Sequence, residues 1–332
     1  MISPAPFRYL IGPVLSRRIG RSLGVDILRG ECTFLCPYCE VHVHHVKNLR
    51  LFPFTQTSAL FAEYKTFCRT HKPAEIHSVT FSGAGEPTLI SNLGEILKTF
   101  RSIGPYPLTV ITNGSLLWIP AVRKNLSQAD LVIPSLDAVT ESAWRRINRP
   151  HPDMTLDRYL SGTKKFCAEY RGRIWMEVLL TRGINDKPDD IDALGRFLKC
   201  LRLDRVQVGT VDRPPARSRA RPLTPASLKL ISRRLADLSG HRVDLIVRGK
   251  KVAIAPPRVA SSSSDPATWR EKILRSVRLR PQTLAELSRL LSAPKPVLTR
   301  AVRDLESAGR LTVVRFQNRP FLQAAESPSH AA

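Results

Sequence analysis

Six short apolar runs, separated by helical patterns, occupy residues 22–211 of this 332-residue chain. The predicted strands are Leu23–Leu28, Ile76–Phe81, Leu108–Thr112, Leu131–Pro134, Ile174–Leu180 and Arg205–Val211. Each is nearly continuously apolar, which suits a strand covered on both faces. Between them apolar side chains recur at helical spacing, as in Leu60, Phe61, Tyr64 and Phe67, and in Ile191, Leu194, Phe197, Leu198 and Leu201. Six βα units in series predict an α/β fold whose parallel sheet carries its helices outside. Right-handed crossovers of this length curl toward a barrel or a partial one, with the chemistry at the C-terminal ends of the strands.

The barrel is expected over 1–223. Residues 224–257 extend it by one helix and a hairpin-like pattern, VDLIVRGKKVAIAPP, with Gly249 and Lys250 near the turn. Proline and serine between 256 and 267 mark a linker, placed at 258–267. A separate small domain follows at 268–332. Ile273, Leu274 and Val277 suggest its first helix. Thr283 and Glu286 form a capping box for the second, which carries Leu284, Leu287 and Leu291. Val297, Leu298, Ala301, Val302 and Leu305 outline the third, which Gly309 stops. Two strands around Gln317, Asn318 and Arg319 complete the order of a winged helix-turn-helix.

Lysine and arginine number 52 against 28 acidic residues, a net charge of +24 that suggests a polyanionic partner. Residues 266–332 hold 12 basic and 5 acidic side chains (+7) and the rest 40 and 23 (+17), so the excess is not confined to the tail. A hydrophobic content of 42% suffices for a core and excludes wholesale disorder. No apolar run approaches the roughly 18 residues of a membrane helix. The N-terminus lacks the pattern of a secretory signal, so a cytoplasmic location is expected.

Three of the six cysteines cluster as Cys32-x-x-x-Cys36-x-x-Cys39, just after the first predicted strand. Three thiolates on one loop can hold three irons of a [4Fe–4S] cube and leave the fourth open to a cofactor. The competing reading is zinc, with His42, His44 or His45 as fourth ligand. Cys68, Cys167 and Cys200 stand alone in helical patterns and read as buried free thiols.

This triplet, with Tyr38 before its last cysteine and a βα series after it, resembles the signature of radical S-adenosylmethionine (SAM) enzymes. The likeness covers roughly residues 8–215 and implies a partial (βα)6, TIM-like barrel. PVLSRRIGRSLGVDI and QVGTVDRPPAR resemble Fe–S oxidoreductases related to tRNA wyosine-synthesis enzymes. Those relatives carry extra N-terminal cysteines that are absent here, which counts against that activity. The resemblance implies that Cys32, Cys36 and Cys39 ligate a [4Fe–4S] cluster whose open iron chelates SAM. Reductive cleavage then gives methionine and a 5′-deoxyadenosyl radical that abstracts hydrogen from a substrate. A one-electron donor such as flavodoxin or ferredoxin is implied as partner.

The other candidates lie at strand ends. Gly83 and Gly85 let backbone approach a ligand, and Glu86 offers an acceptor to an ammonium. The family's GGEP motif, which contacts the SAM amino group, stands here as Ala84-Gly85-Glu86-Pro87 with its first glycine replaced. Ser135 and Asp137 end the fourth strand and either meet SAM, as similar positions do in the family, or cap a helix. Asn113 reads as a turn residue, and Asn185 and Asp186 as caps of the next helix. Glu177, inside an apolar strand, needs a partner such as Arg182 or a ribose. The family's Gln-x-Gly after the last cysteine is replaced by Glu40-Val41-His42, and VHVHH suits a strand with one polar face. Arg17, Arg18 and Arg21, with Arg213, Arg217, Arg219 and Arg221, could steer an anion to the barrel mouth.

Two functions compete. One is a radical SAM enzyme acting on an unidentified, anionic or RNA substrate. The other is a redox- or oxygen-sensing nucleic-acid-binding regulator working through the winged helix, where Lys295, Arg300 and Arg303 face a polyanion.

Overall fold

A computed structural model describes residues 7–16, 18–216, 220–246, 266–291 and 293–325. The chain opens with an antiparallel hairpin, β1 (Leu10–Ser16) and β2 (Gly20–Val25). Two-residue strands β3 (Glu31–Cys32) and β4 (His44–His45) then pair in parallel to frame the cysteine loop. A βα series follows: α1 (Thr57–Thr70), β5 (Ser78–Phe81), α2 (Leu93–Ile103), β6 (Leu108–Thr112), α3 (Pro120–Leu126) and β7 (Leu131–Pro134). It continues through α4 (Glu141–Asn148), α5 (Leu156–Glu169), β8 (Arg173–Leu180), α6 (Pro188–Lys199), β9 (Arg205–Thr210), α7 (Pro225–Ser239) and β10 (Val243–Ile246).

Among the described residues the strands form one sheet in the order β1-β2-β5-β6-β7-β8-β9-β10, parallel from β2 onward and with no pairing between β1 and β10. This is the partial barrel of the six expected βα units, with a strand added at each edge. The antiparallel β1 was not expected. β10 pairs in parallel with β9, and the remainder of the expected hairpin, with Gly249 and Lys250, lies outside the described residues, as does most of the linker.

The strands are mostly apolar because both faces are covered. Val132, Ile174, Met176 and Val178 join the large core beneath the helices. On the inner face Leu131, Ile133 and Trp175 pack with Ile19 and Ile111. Beside them lie the buried hydroxyl pairs Ser22–Thr80 (2.6 Å) and Ser78–Thr109 (2.7 Å). Cys167 is buried, but Cys68 is only half-buried and Cys200 is exposed, against the expectation of three buried thiols.

The C-terminal residues contribute α8 (Pro266–Leu279), α9 (Leu284–Leu290), α10 (Lys295–Ser307) and the hairpin β11 (Leu311–Phe316) and β12 (Arg319–Ala324). They bury their own core, which includes Ile273, Leu287, Leu298, Leu305 and Leu322. The capping box is present: Thr283 Oγ1 accepts from Glu286 N, and Glu286 Oε2 accepts from Thr283 N (2.9 Å). Val297, expected on the buried stripe of the third helix, is exposed.

Candidate active site

The cysteine loop lies across the C-terminal ends of β2, β5, β6 and β7. Its hydrophobic anchor is Phe34, 1% exposed, which meets Trp144 and Tyr159 edge-on at 6.1 and 5.6 Å. Backbone bonds lace it to the segment after α4: Leu35 N donates to Asn148 O (3.0 Å), and His151 N to Thr33 O (2.8 Å). The His pattern therefore forms a very short strand, with Val43 and Val46 buried on either side. His44 is exposed, and a His45 ring nitrogen sits 3.1 Å from Arg149 O.

Each of the first two sulfurs faces a side-chain amide. Asn113 Nδ2 lies 3.4 Å from Cys32 Sγ, and Asn148 Nδ2 lies 3.7 Å from Cys36 Sγ. Asn113 is also the expected turn residue, because its Oδ1 accepts from Ser115 N (2.9 Å). Burial, with the Glu86 carboxylate nearby, pushes the Cys32 thiol up to about 12; burial, with Asp137, pushes Cys36 up as well. Such thiols stay protonated until a metal displaces the proton. Among the described residues no three His, Cys, Asp or Glu side chains, the cysteine triplet included, are drawn together as a preformed metal site. A four-iron cube asks for one thiolate per iron, and N–H donors to the sulfurs suit its ligation.

Glu86 is 2% exposed and turned into the protein. Its Oε1 accepts from Thr88 N (3.0 Å), Thr88 Oγ1 (2.6 Å) and Thr112 Oγ1 (2.6 Å), and its Oε2 from Asn113 N (2.7 Å). The carboxylate thus caps the 3-10 turn Pro87–Leu89 and ties the end of β5 to that of β6. Burial raises its pKa against the pull of those donors. The glycines before it serve protein packing. A Cβ on Gly83 would collide with the Asp26 carboxylate, and one on Gly85 would lie 2.6 Å from Glu31 O.

Asp137 is 1% exposed. Its Oδ2 accepts from Tyr38 OH (2.5 Å) and Asn148 Nδ2 (3.0 Å), and its Oδ1 from Leu179 N (2.9 Å). Burial pushes its pKa up to about 6 despite these donors. It caps no helix; Thr140 stands at the N-cap of α4. Ser135 bridges to Glu177 along the strand ends, and its carbonyl accepts from Tyr159 OH (2.6 Å). Asn185 also differs from expectation. Lys187 is the N-cap of α6, while buried Asn185 donates to Asp137 O and Leu179 O (both 2.9 Å) and so locks the same strand end.

Glu177 pairs with Arg18, not Arg182, on the inner face. Arg213 is 5% exposed and bound to Glu286 of the C-terminal unit. Arg17, Arg217 and Arg219 lie outside the described residues. Asn148 escaped the sequence reading altogether, since nothing local marks a helix-end amide for a sulfur 112 residues away.

The chain is 33% identical over 226 residues to the UPF0026 protein MJ1312 of Methanocaldococcus jannaschii, covering 68% of this chain and 69% of that one. It is 32% identical over 221 residues to a GTPase Obg of Brachyspira hyodysenteriae, of which it spans 32% of the length. It is 28% identical over 180 residues to a dual-specificity RNA methyltransferase RlmN of Helicobacter pylori strain P12, covering 51% of this chain and 47% of that one. Among solved structures, native anSMEcpe with bound AdoMet and Kp18Cys peptide shares the fold at a TM-score of 0.50 and 16% identity, over 68% of this chain and 63% of that one. Residues 28–197, from the strand end before the first cysteine into α6, match the radical SAM superfamily, and the chain belongs to that superfamily, whose enzymes use a [4Fe–4S] cluster and SAM.

Proposed function

We propose that this enzyme uses its cluster and SAM to abstract a hydrogen atom from an RNA substrate, with Cys32, Cys36 and Cys39 as the cluster ligands. One observation carries the ligand assignment: the three cysteines share one loop at the strand ends, and two of their sulfurs face the amides of Asn113 and Asn148. The cluster and SAM together supply a 5′-deoxyadenosyl radical, and the protein's task is orientation and exclusion of solvent.

Phe34 holds the loop against the aromatic core. Tyr38 and Asp137, with Ser135, Gly83, Gly85 and Glu86, form the strand-end rim on which SAM would lie. On this rim the Glu86 carboxylate shapes the turn from within, since its oxygens are engaged by Thr88, Thr112 and Asn113. On the inner face Leu131, Ile133 and Trp175 pack together beside the Arg18–Glu177 pair. The net charge of +24 and the likeness to an RNA methyltransferase support an anionic substrate, RNA in particular. The C-terminal unit, read as a winged helix, presents exposed Lys295, Arg300 and Arg303 toward such a polyanion.

Anaerobic reconstitution should give about four irons per chain. With a low-potential reductant the holoprotein should release 5′-deoxyadenosine from SAM, and Cys36→Ala should lose both cluster and release. Deuterium passing from labelled RNA into 5′-deoxyadenosine would establish the substrate class. A Cys36→Ala protein that retained the full cluster would refute the ligand assignment. Cluster-dependent binding of a specific DNA without 5′-deoxyadenosine would favour the redox-sensing regulator instead.

A further inference from the structure

We propose that Arg213 is a positioning residue through which the docked C-terminal unit sets the conformation of the cysteine loop. Arg213 leaves the end of β9 and is almost wholly buried. Toward the C-terminal unit its Nη1 donates to Pro281 O (2.5 Å) and to Glu286 Oε2 (3.0 Å), and its Nη2 to Glu286 Oε1 (2.9 Å). Its guanidinium lies 5.9 Å from the ring centroid of Phe321. Toward the barrel its Nε lies 3.6 Å from the carboxylate of Glu40, the residue directly after Cys39. The same stretch makes a backbone contact with the loop, because Ala216 N donates to Cys39 O (2.8 Å).

Two further bonds seat the unit independently of Arg213. Gln317 Nε2 donates to Val211 O (2.9 Å), and Arg275 Nη2 donates to Leu10 O (2.7 Å). Residues 211–216 are therefore held by the C-terminal unit on one side and hold the cysteine loop on the other. The buried guanidinium is hydrogen-bonded to Glu286 and lies 3.6 Å from the half-buried Glu40 carboxylate, so it links the two carboxylates, and loss of Glu286 leaves its charge poorly compensated. Glu286 is thus both the capping-box residue of α9 and the unit's grip on the barrel. Coupling of this kind is reciprocal: what loosens the unit loosens the loop, and the converse. The unit is then part of the active-site wall rather than a tethered appendage.

The inference rests on the proposed function only for naming the loop's cargo, so its main test uses the full chain without cluster. Hydrogen exchange is followed in peptides covering Cys36–Glu40 and Pro281–Leu287. Glu286→Gln is the decisive variant, because glutamine still serves at the third position of a capping box but cannot offer Arg213 a charge. Exchange should quicken at least about fivefold in the cysteine loop as well as at α9, as expected when a local unit loses part of its protection. Arg213→Met should quicken both by more. In reconstituted protein, Glu286→Gln should also change the electron paramagnetic resonance signal of the reduced cluster with SAM present, although Glu286 belongs to a separate folding core. Quickening confined to α9 in Glu286→Gln, with an unchanged loop and an unchanged cluster signal, would overturn the proposal. Failure to assemble any cluster in the wild type would instead count against the proposed function and leave the exchange result standing.

Discussion

The two sides of the barrel mouth bury carboxylates by different means. At the ends of β5, β6 and β7, beside the cysteines, Glu86 and Asp137 are surrounded by neutral donors: threonine hydroxyls, backbone N–H groups, the Asn148 amide and the Tyr38 phenol. On β8, Glu177 faces the Arg18 guanidinium, while half-buried Glu40, directly after Cys39, lies 3.6 Å from Arg213 beyond the end of β9. Neutral donors compensate a buried charge incompletely, which is why both carboxyls beside the cysteines have raised pKa values. An arginine meets the charge with an opposite charge and places a cation in the wall. On the far side, cations fix long-range contacts, one across the interior and one to another folding unit. The positive charge that suggested an anion-steering mouth is thus partly spent inside the protein.

Glu86→Ala would break the neutral side most severely. It strands four donors at about 1 kcal/mol each, so denaturant unfolding should show a loss of about 3–5 kcal/mol. Arg18→Met attacks the ionic side and leaves Glu177 buried without its partner. A loss of about 2–4 kcal/mol is expected, most of it recovered in Arg18→Met/Glu177→Leu, where no charge is stranded.

Asp137→Asn sharpens the contrast through pH. The folded protein holds Asp137 at about 6, above the ordinary 3.8, so the native state favours the protonated form. That contribution is complete below about pH 4 and lost as pH rises through about 6. Wild-type protein without cluster should therefore lose on the order of 2–3 kcal/mol relative to Asp137→Asn between pH 4 and 7, read as converging or crossing melting temperatures. A constant difference across that range would show that the neutral donors compensate Asp137 fully. The smallest effect is expected from Tyr38→Phe, about 1 kcal/mol for one lost hydrogen bond. It should also raise the Asp137 pKa further, since a donor to the charged form is removed, and a carboxyl-carbon NMR titration would detect this.

The strands were legible because their signal is local. Leu108–Thr112 and Leu131–Pro134 appear at their predicted bounds, and Ile174–Leu180 differs by one residue. β1 was missed because Gly12 and Pro13 interrupt an apolar run whose supports, β2, Glu63 and Arg275, are all supplied by tertiary packing. The turn at Gln317 and Asn318, both at positive φ, was visible as a hairpin signal. The cysteine spacing was visible too, but the atoms that surround it were not. Asn148 reaches Cys36 and Asp137 only because α4 ends where it does, and Asn185 was mistaken for a cap because its acceptors lie on other strands.

The sequence by itself determined the βα series, the capping box of α9 and the three-cysteine loop, since periodicity and short spacings need only neighbouring residues. Only the tertiary structure decided how each buried charge is met: Glu177 by Arg18, 159 residues away, and Glu286 by Arg213, 73 residues away. A buried charge accepts any partner of suitable geometry, and which one arrives is a property of chain packing.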